Sequence, residues 1–406
     1  MLLSPVLSLL LGVQPVARAA VPSTAEAETE TEAPATAESA ADPEAEDRPG
    51  LVRRYLHQLL DETPSNGEPQ FLAYPALAFA PETRLEVGVS SLLLFYADRD
   101  VSNRLSEVPI YVFYTLNQQY GIWLDHVIFT DEARFSFIGE NRLMDFPLKY
   151  YGIGMDASSD DAVLVEARQV DLRERLLVRL GSSDLYVGPE VGLNSFSRVR
   201  FRALEGGPEP GPLPRGGQGT TNLTLGAGVV RDTRHNPLNV RDGFFGEVAF
   251  LHSSDRVLSD YTYTNAFVDV RAYHSLTENL VLAGQTIGQA GFGDLPFNEL
   301  GVLGGDKMMR GYYVGRYRDR TLTAAQAELR FLPLPLGFTH RIGAATWVAA
   351  GTVAPTLGDL SLAELRVTGG AGLRVLTFPG SDIYSRLDFG VSEDGLGIYV
   401  YVGEAF

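Results

Sequence analysis

The chain contains no cysteine, which excludes a disulfide framework, a thiolate metal site, a catalytic thiol and a lipid-acceptor cysteine. Long apolar runs are missing too. Beyond the first twenty residues no stretch approaches the roughly 18 to 20 apolar residues that a membrane-crossing helix needs, so a helical membrane protein is excluded. Basic residues are in deficit, with 33 Lys and Arg against 51 Asp and Glu and a net charge of -18. That balance argues against a phosphate-neutralising nucleic-acid surface. The sequence has no G-x-S-x-G elbow, and its six histidines (His57, His126, His235, His252, His274 and His340) lack metal-ligand spacing. What is abundant is glycine and aromatic residue, with 42 Gly, 18 Tyr and 21 Phe, spread through short alternating segments. Small and aromatic faces on many strands point to an all-β architecture.

The amino-terminal part is organised differently. Residues 1–19 carry an apolar stretch from Leu2 to Leu11 followed by Ala17, Arg18 and Ala19 in an A-x-A arrangement, which reads as a secretory signal peptide although no basic residue precedes the run. Residues 20–50 are Ala, Glu, Thr, Pro and Asp without an aromatic, too little apolar surface to offset the entropy of ordering, and read as a disordered acidic tether. Residues 51–69 read as a short amphipathic helix and linker, with Leu51, Tyr55, Leu59 and Leu60 on one helical face.

From residue 70 to 406 the repeating unit is about ten residues of alternating apolar and polar or small side chains, then a turn. In 84–96, Leu85, Val87, Val89, Leu93 and Phe95 share one face while Arg84, Glu86, Gly88 and Ser90 share the other. Comparable strands fall at 107–117, 119–130, 133–141, 163–177, 185–197, 220–231, 243–253, 260–273, 279–290, 321–333, 340–353, 364–377, 383–392 and 396–406. One face meets lipid and the other a polar lumen, and only closure satisfies every backbone group in hydrocarbon. These are fifteen strands, and both ends on the periplasmic side require an even number. The sixteenth is expected around 71–80, where Pro75 and Pro81 spoil the pattern. The expected fold is a transmembrane antiparallel β-barrel of about 16 strands, with 14 as the alternative count and long loops at 142–162, 200–219 and 291–320 on the outer side. A soluble β-sandwich would seldom need so many strands of this length.

The segment LGGDKMMRGYYVGRYRDR at 303–320 is too polar for a membrane strand and must be a loop. Arg310 offers a planar fork to a carboxylate, Gly311 permits a sharp turn or close backbone approach, and Tyr312 can wedge against a wall. With Gly315, Arg316, Tyr317, Arg318 and Asp319, the segment resembles the sixth-loop motif of the BamA/TamA superfamily of outer-membrane assembly and translocation proteins, also called bacterial surface antigens. Supporting motifs in the same order are YYGIG at 150–154, VRDTRHNPLN at 230–239, QAELRF at 326–331, GGAGLR at 369–374 and RLDFG at 386–390.

The resemblance implies a sixth extracellular loop folded into the lumen as a clasp, a lateral seam between the first and last strands, and location in the bacterial outer membrane. Where relatives carry Asp in an aromatic-x-Asp-x-Gly strand, this chain has Ala349, after Trp347. Arg310 therefore needs another acceptor, and strand parity nominates Glu328 and Asp388, with Arg330 on the same face as Glu328. At the carboxyl end, Ile398, Val400, Val402 and Phe406 share a face by parity, and the terminal Phe406 resembles the insertion signal of outer-membrane proteins.

The implied activity is assistance to insertion or translocation of a polypeptide or lipid, with a passive pore or a structural and binding barrel as the alternative. Expected partners are outer-membrane lipid, the outer-membrane assembly machinery during the chain's own insertion, and a polypeptide cargo or periplasmic partner. Relatives carry periplasmic polypeptide-binding modules ahead of the barrel, for which residues 20–69 leave no room. No nucleic acid, cofactor, metal or catalytic residue is expected. An outer-membrane phospholipase would need Ser and His on facing strands, and Ser385 and His340 carry no such mark. The glycines at 369–372 precede no helix, so a phosphate cradle is less apt than close packing beside a loop.

Overall fold

The computed structural model describes residues 68–100, 104–130, 132–234, 239–379 and 382–406. The expected signal peptide, tether and helix lie outside the described residues. The strands are β1 (Gln70–Ala80), β2 (Arg84–Phe95), β3 (Ser106–Thr115), β4 (Tyr120–Thr130), β5 (Phe135–Asp145), β6 (Leu148–Tyr150), β7 (Val163–Arg179), β8 (Leu185–Ala203), β9 (Thr220–Asp232), β10 (Gly243–Ser253), β11 (Tyr263–Thr277), β12 (Leu280–Gly293), β13 (Gly301–Leu303), β14 (Tyr317–Asp319), β15 (Thr321–Phe331), β16 (Ile342–Ala354), β17 (Arg366–Phe378), β18 (Ile383–Ser392) and β19 (Gly395–Val402). Sixteen of these pair antiparallel with their neighbours and close through β1 and β19. The three-residue β6 is a spur beside β7, and β13 and β14 form a separate hairpin.

All fifteen expected strands are present, and the sixteenth is β1, where expected. Pro75 removes a ladder donor, yet β1 pairs with β2 in unbroken register from Gln70 opposite Leu94 to Ala80 opposite Arg84. No helix among the described residues is long and apolar enough to cross a membrane. The strands do so instead.

Alternation fixes which side chain meets which medium. On β2, Leu85, Val87 and Val89 are 42%, 45% and 55% exposed while the intervening Glu86 is 1% exposed. Ile122, Leu143, Val191, Phe250, Val348 and Phe389 continue the exposed apolar band on other strands, as a lipid-facing wall requires. Alternating antiparallel strands bring the connections 81–83, 116–119, 146–162, 204–219, 254–262, 294–320, 355–365 and 393–394 to one end. This end bears the long connections and is the outer one, and 294–320 is the sixth of its loops.

Across the outer half of the lumen lies an apolar core in which wall residues Tyr111, Phe113, Trp123, Phe196 and Tyr263 meet loop residues Phe146, Leu148, Phe297, Leu300 and Val314. Below it the interior is charged. Arg173 bridges Glu190 and Glu247, and Arg175 bridges Glu140 and Glu247.

Candidate functional site

The sixth loop enters the lumen and lies against β15 to β19. Its Lys307 carbonyl accepts from Gln326 Nε2 at 2.9 Å, and its Asp306 accepts from Arg386 at 2.9 Å. The tip can press on the wall because both surfaces there are glycine. A Cβ on Gly311, whose φ is +117°, would stand 2.9 Å from the Val391 carbonyl carbon, and one on Gly390 would stand 2.6 Å from the Arg310 backbone. Tyr399 then bonds the approaching backbone, accepting from Gly311 N at 2.9 Å and donating to the Tyr312 carbonyl at 3.3 Å.

Arg310 is fully buried. Its Nη1 donates to Asp388 at 2.7 Å and its Nη2 to Glu328 at 2.5 Å, while the guanidinium carbon stands 3.7 Å from the centre of the Trp347 ring. Two further glycines open this space. A Cβ on Gly370 would meet the Trp347 indole at 2.4 Å, and one on Gly372 would meet the Asp388 carboxylate at 2.0 Å. The glycine run at 369–372 thus serves close packing beside the loop.

Neither carboxylate belongs to Arg310 alone. Glu328 also pairs with Arg330 at 2.8 Å and Arg374 at 3.5 Å, and Asp388 with Arg374 at 2.5 Å and Arg386 at 2.8 Å. Arg374 reaches Glu404 and Arg386 reaches Asp306. Arg310, Arg330, Arg374 and Arg386 are balanced by Asp306, Glu328, Asp388 and Glu404, which lets so many charges stay buried. Arg374, Arg386, Asp306 and Glu404 were not singled out from sequence. Arg374 and Arg386 stood inside the quoted motifs on the inward parity, and that parity is the signal that could have found them. Ala349 faces inward as parity requires, within an apolar cluster with Tyr312, Met309 and Leu303.

The rest of the motif is held by other elements. Arg316 donates to Asp394 at 2.5 Å and to the Ala157 carbonyl at 2.7 Å. Tyr317 donates to Glu393 at 2.6 Å and packs edge-on against Tyr312. Arg318 lies over the Tyr150 ring, and its carbonyl accepts from Gly154 N at 2.8 Å. Burial pulls the Arg318 guanidinium down to about 10, which leaves it charged at neutral pH. Asp319 accepts from Arg320 N at 2.7 Å, and Gly315 turns with φ +69°. YYGIG therefore supplies a second cradle, opposite the wall that holds Arg310.

The carboxyl end departs from the parity expectation. β19 stops at Val402, and Gly403, with φ +87°, turns the chain inward. Phe406 consequently packs inside with Val240, Tyr273 and Ala283, beneath Arg330, and does not share the outward face of Ile398, Val400 and Val402. Parity holds only while a strand lasts, and a left-handed residue resets it.

This early exit shortens the seam. β1 and β19 share a single register pair, Phe79 opposite Val400. The neighbouring β18–β19 ladder runs continuously from Ser385 opposite Val402 to Ser392 opposite Gly395. Extending the seam register sets Leu77 opposite Val402, the last residue of β19, so 70–76 face no residue of that strand. Ser385 lies on the outward face bonded to Thr377, and His340 is exposed in the 332–341 turn.

The Omp85 superfamily domain matches residues 170–382, just over half of the chain. The chain belongs to the Omp85 superfamily. It is a bacterial outer-membrane protein. No curated protein matches it in sequence. Among solved structures, BamA from Haemophilus ducreyi lacking POTRA domains 1-3 is similar at 12% identity and TM-score 0.54, over 82% of this chain and 70% of that one. CdiB from Acinetobacter baumannii is similar at 10% identity and TM-score 0.50, over 86% and 68%. CdiB from Escherichia coli is similar at 10% identity and TM-score 0.53, over 81% and 62%. At these identities the structural likeness speaks to the fold of an Omp85 barrel.

Proposed function

We propose that this Omp85 barrel assists insertion or translocation of a polypeptide at the outer membrane, with the β1–β19 seam as the working edge and the sixth loop as the clasp that braces the wall beside it. The observation that carries this reading is the seam itself, one register pair long, with 70–76 of β1 extending past the end of β19. An uncovered strand edge presents backbone donors and acceptors to an incoming strand. Arg310 and the Gly311–Gly390 contact keep β15 to β18 in place while that edge is engaged. A passive pore needs an open lumen, and the apolar core across the outer half disfavours it.

The native chain has no cysteine, so Phe79→Cys with Val400→Cys gives one unambiguous crosslink. The purified barrel in liposomes should accelerate insertion of an unfolded outer-membrane β-barrel substrate, the oxidised pair should abolish that acceleration, and reductant should restore it. Undiminished activity in the fully crosslinked protein would eliminate the seam as the working edge. Steady ion conductance through the unmodified barrel in planar bilayers would favour the pore.

A further inference from the structure

Strand β8 contains a bulge near its outer end. Glu166 stands opposite Arg200 but Arg168 stands opposite Ser197, so β8 carries one extra residue, and Arg198 there has φ 55°. Below the bulge the even-numbered Glu190, Asn194 and Phe196 point into the lumen. Above it the even-numbered Arg198, Arg200 and Arg202 are exposed on the outer face. A bulge re-aims side chains in this way; without it three arginines would enter the apolar lumenal core.

The re-aimed arginines line a cleft of about 710 Å³ together with Arg168, Arg84 and Lys149. Among the described residues Asp145 and Glu166 are the only acids on its wall, in a chain whose net charge is -18. Glu166 is committed to Arg202 at 2.8 Å. Among the described residues Arg84, Arg168, Arg198 and Arg200 have no ion-pair partner. The cleft therefore holds positive charge well in excess of its two acids.

Its height is also defined. Tyr120 lines the cleft and, like Tyr114, is an exposed aromatic at the outer end of the wall. The outward Ile122 and Leu124 follow directly below. Aromatic residues at the edge of an apolar band mark the interface between hydrocarbon and headgroups. The arginines stand just above that girdle, at the level of the outer leaflet's headgroups.

We propose that this cleft binds the phosphate groups of an outer-leaflet lipid, with the guanidiniums of Arg168, Arg198 and Arg200 as the principal contacts and the acyl chains running down the apolar wall past Ile122. Planar guanidiniums suit phosphate oxygens, and several together discriminate a headgroup of net negative charge from a zwitterionic one. The site is independent of the seam, so its test does not depend on insertion activity.

The test uses the full chain in detergent and measures equilibrium binding of fluorescent lipid A, a glycolipid with two phosphates, and of the same lipid after phosphatase treatment. The triple variant Arg168→Gln, Arg198→Gln, Arg200→Gln should lose affinity on the order of a hundredfold, from the usual contribution of each cation near an anionic surface. Wild type should show a comparable loss toward dephosphorylated lipid, while Arg256→Gln with Arg341→Gln, both exposed elsewhere, should bind like wild type. Heat-modifiable migration of each variant verifies that the barrel is closed. Unchanged binding by the folded triple variant, or equal binding of the dephosphorylated lipid, would overturn the proposal. Full displacement of the lipid by millimolar inorganic phosphate would overturn the lipid as the source and assign the cleft to free phosphate.

Discussion

Replacing Arg310 with alanine removes the one guanidinium that ties the sixth loop to both Glu328 and Asp388. Breaking a fully buried ion pair from one side costs about 3 to 5 kcal/mol, most of it from the charge left without compensation. Here each carboxylate keeps two other guanidiniums, Arg330 and Arg374 for Glu328, and Arg374 and Arg386 for Asp388. The stranded-charge part is therefore reduced, and the expected cost is about 3 kcal/mol, at the low end of that range. Within it, the lost contact with Trp347 accounts for up to about 2 kcal/mol, because the pair is desolvated. Arg310→Lys keeps the charge but cannot fork to two acids, so it should cost about 2 kcal/mol, one charge-assisted hydrogen bond. The assay combines urea unfolding in detergent with protease accessibility of residues 305–320. Double-mutant cycles of Arg310→Ala with Glu328→Gln and with Asp388→Asn should each show a coupling of about 1 to 3 kcal/mol. If both cycles are additive and the loop stays protected in Arg310→Ala, the clasp reasoning fails.

Gly390→Ala should raise protease cleavage in 305–320 while leaving the barrel heat-modifiable, because its Cβ would sit 2.6 Å from the Arg310 carbonyl group and only the loop can give way. Tyr399→Phe should cost about 1 to 3 kcal/mol in urea unfolding, since the Gly311 N–H loses its buried acceptor. Glu82, in the 81–83 connection, has both carboxylate oxygens without a partner among the described residues, and burial followed by the charge of Asp306 raises it from 4.5 to about 8. The folded state holds a proton that the unfolded chain releases between those values, so stability should fall as pH rises from about 4.5 to about 8, by at most about 1.4 kcal/mol per pH unit. Glu82→Gln should flatten that decline in a pH series of urea midpoints, and an unchanged slope would show that another group is responsible.

The sequence by itself determined the wall. Strand parity is a local property, so alternation located the barrel strands, assigned Leu85, Val87 and Val89 to one face and Glu86 to the other, and put Glu328 and Asp388 on the polar face; that Arg310 would meet them came from the resemblance of its loop. The loop motif was legible because its residue types are unusual together in a segment too polar for a membrane.

The tertiary structure decided everything that depends on where parity breaks or on which wall meets which loop. Gly403 turns Phe406 inward, and the bulge at Arg198 turns three arginines outward; both follow from single backbone conformations that composition does not encode. That Glu328 and Asp388 contact three guanidiniums each, and that Tyr399 receives Gly311, requires β15 to β19 to stand side by side around a common interior. These contacts join residues up to 88 positions apart. Closure of the barrel creates that proximity, and no local pattern carries it.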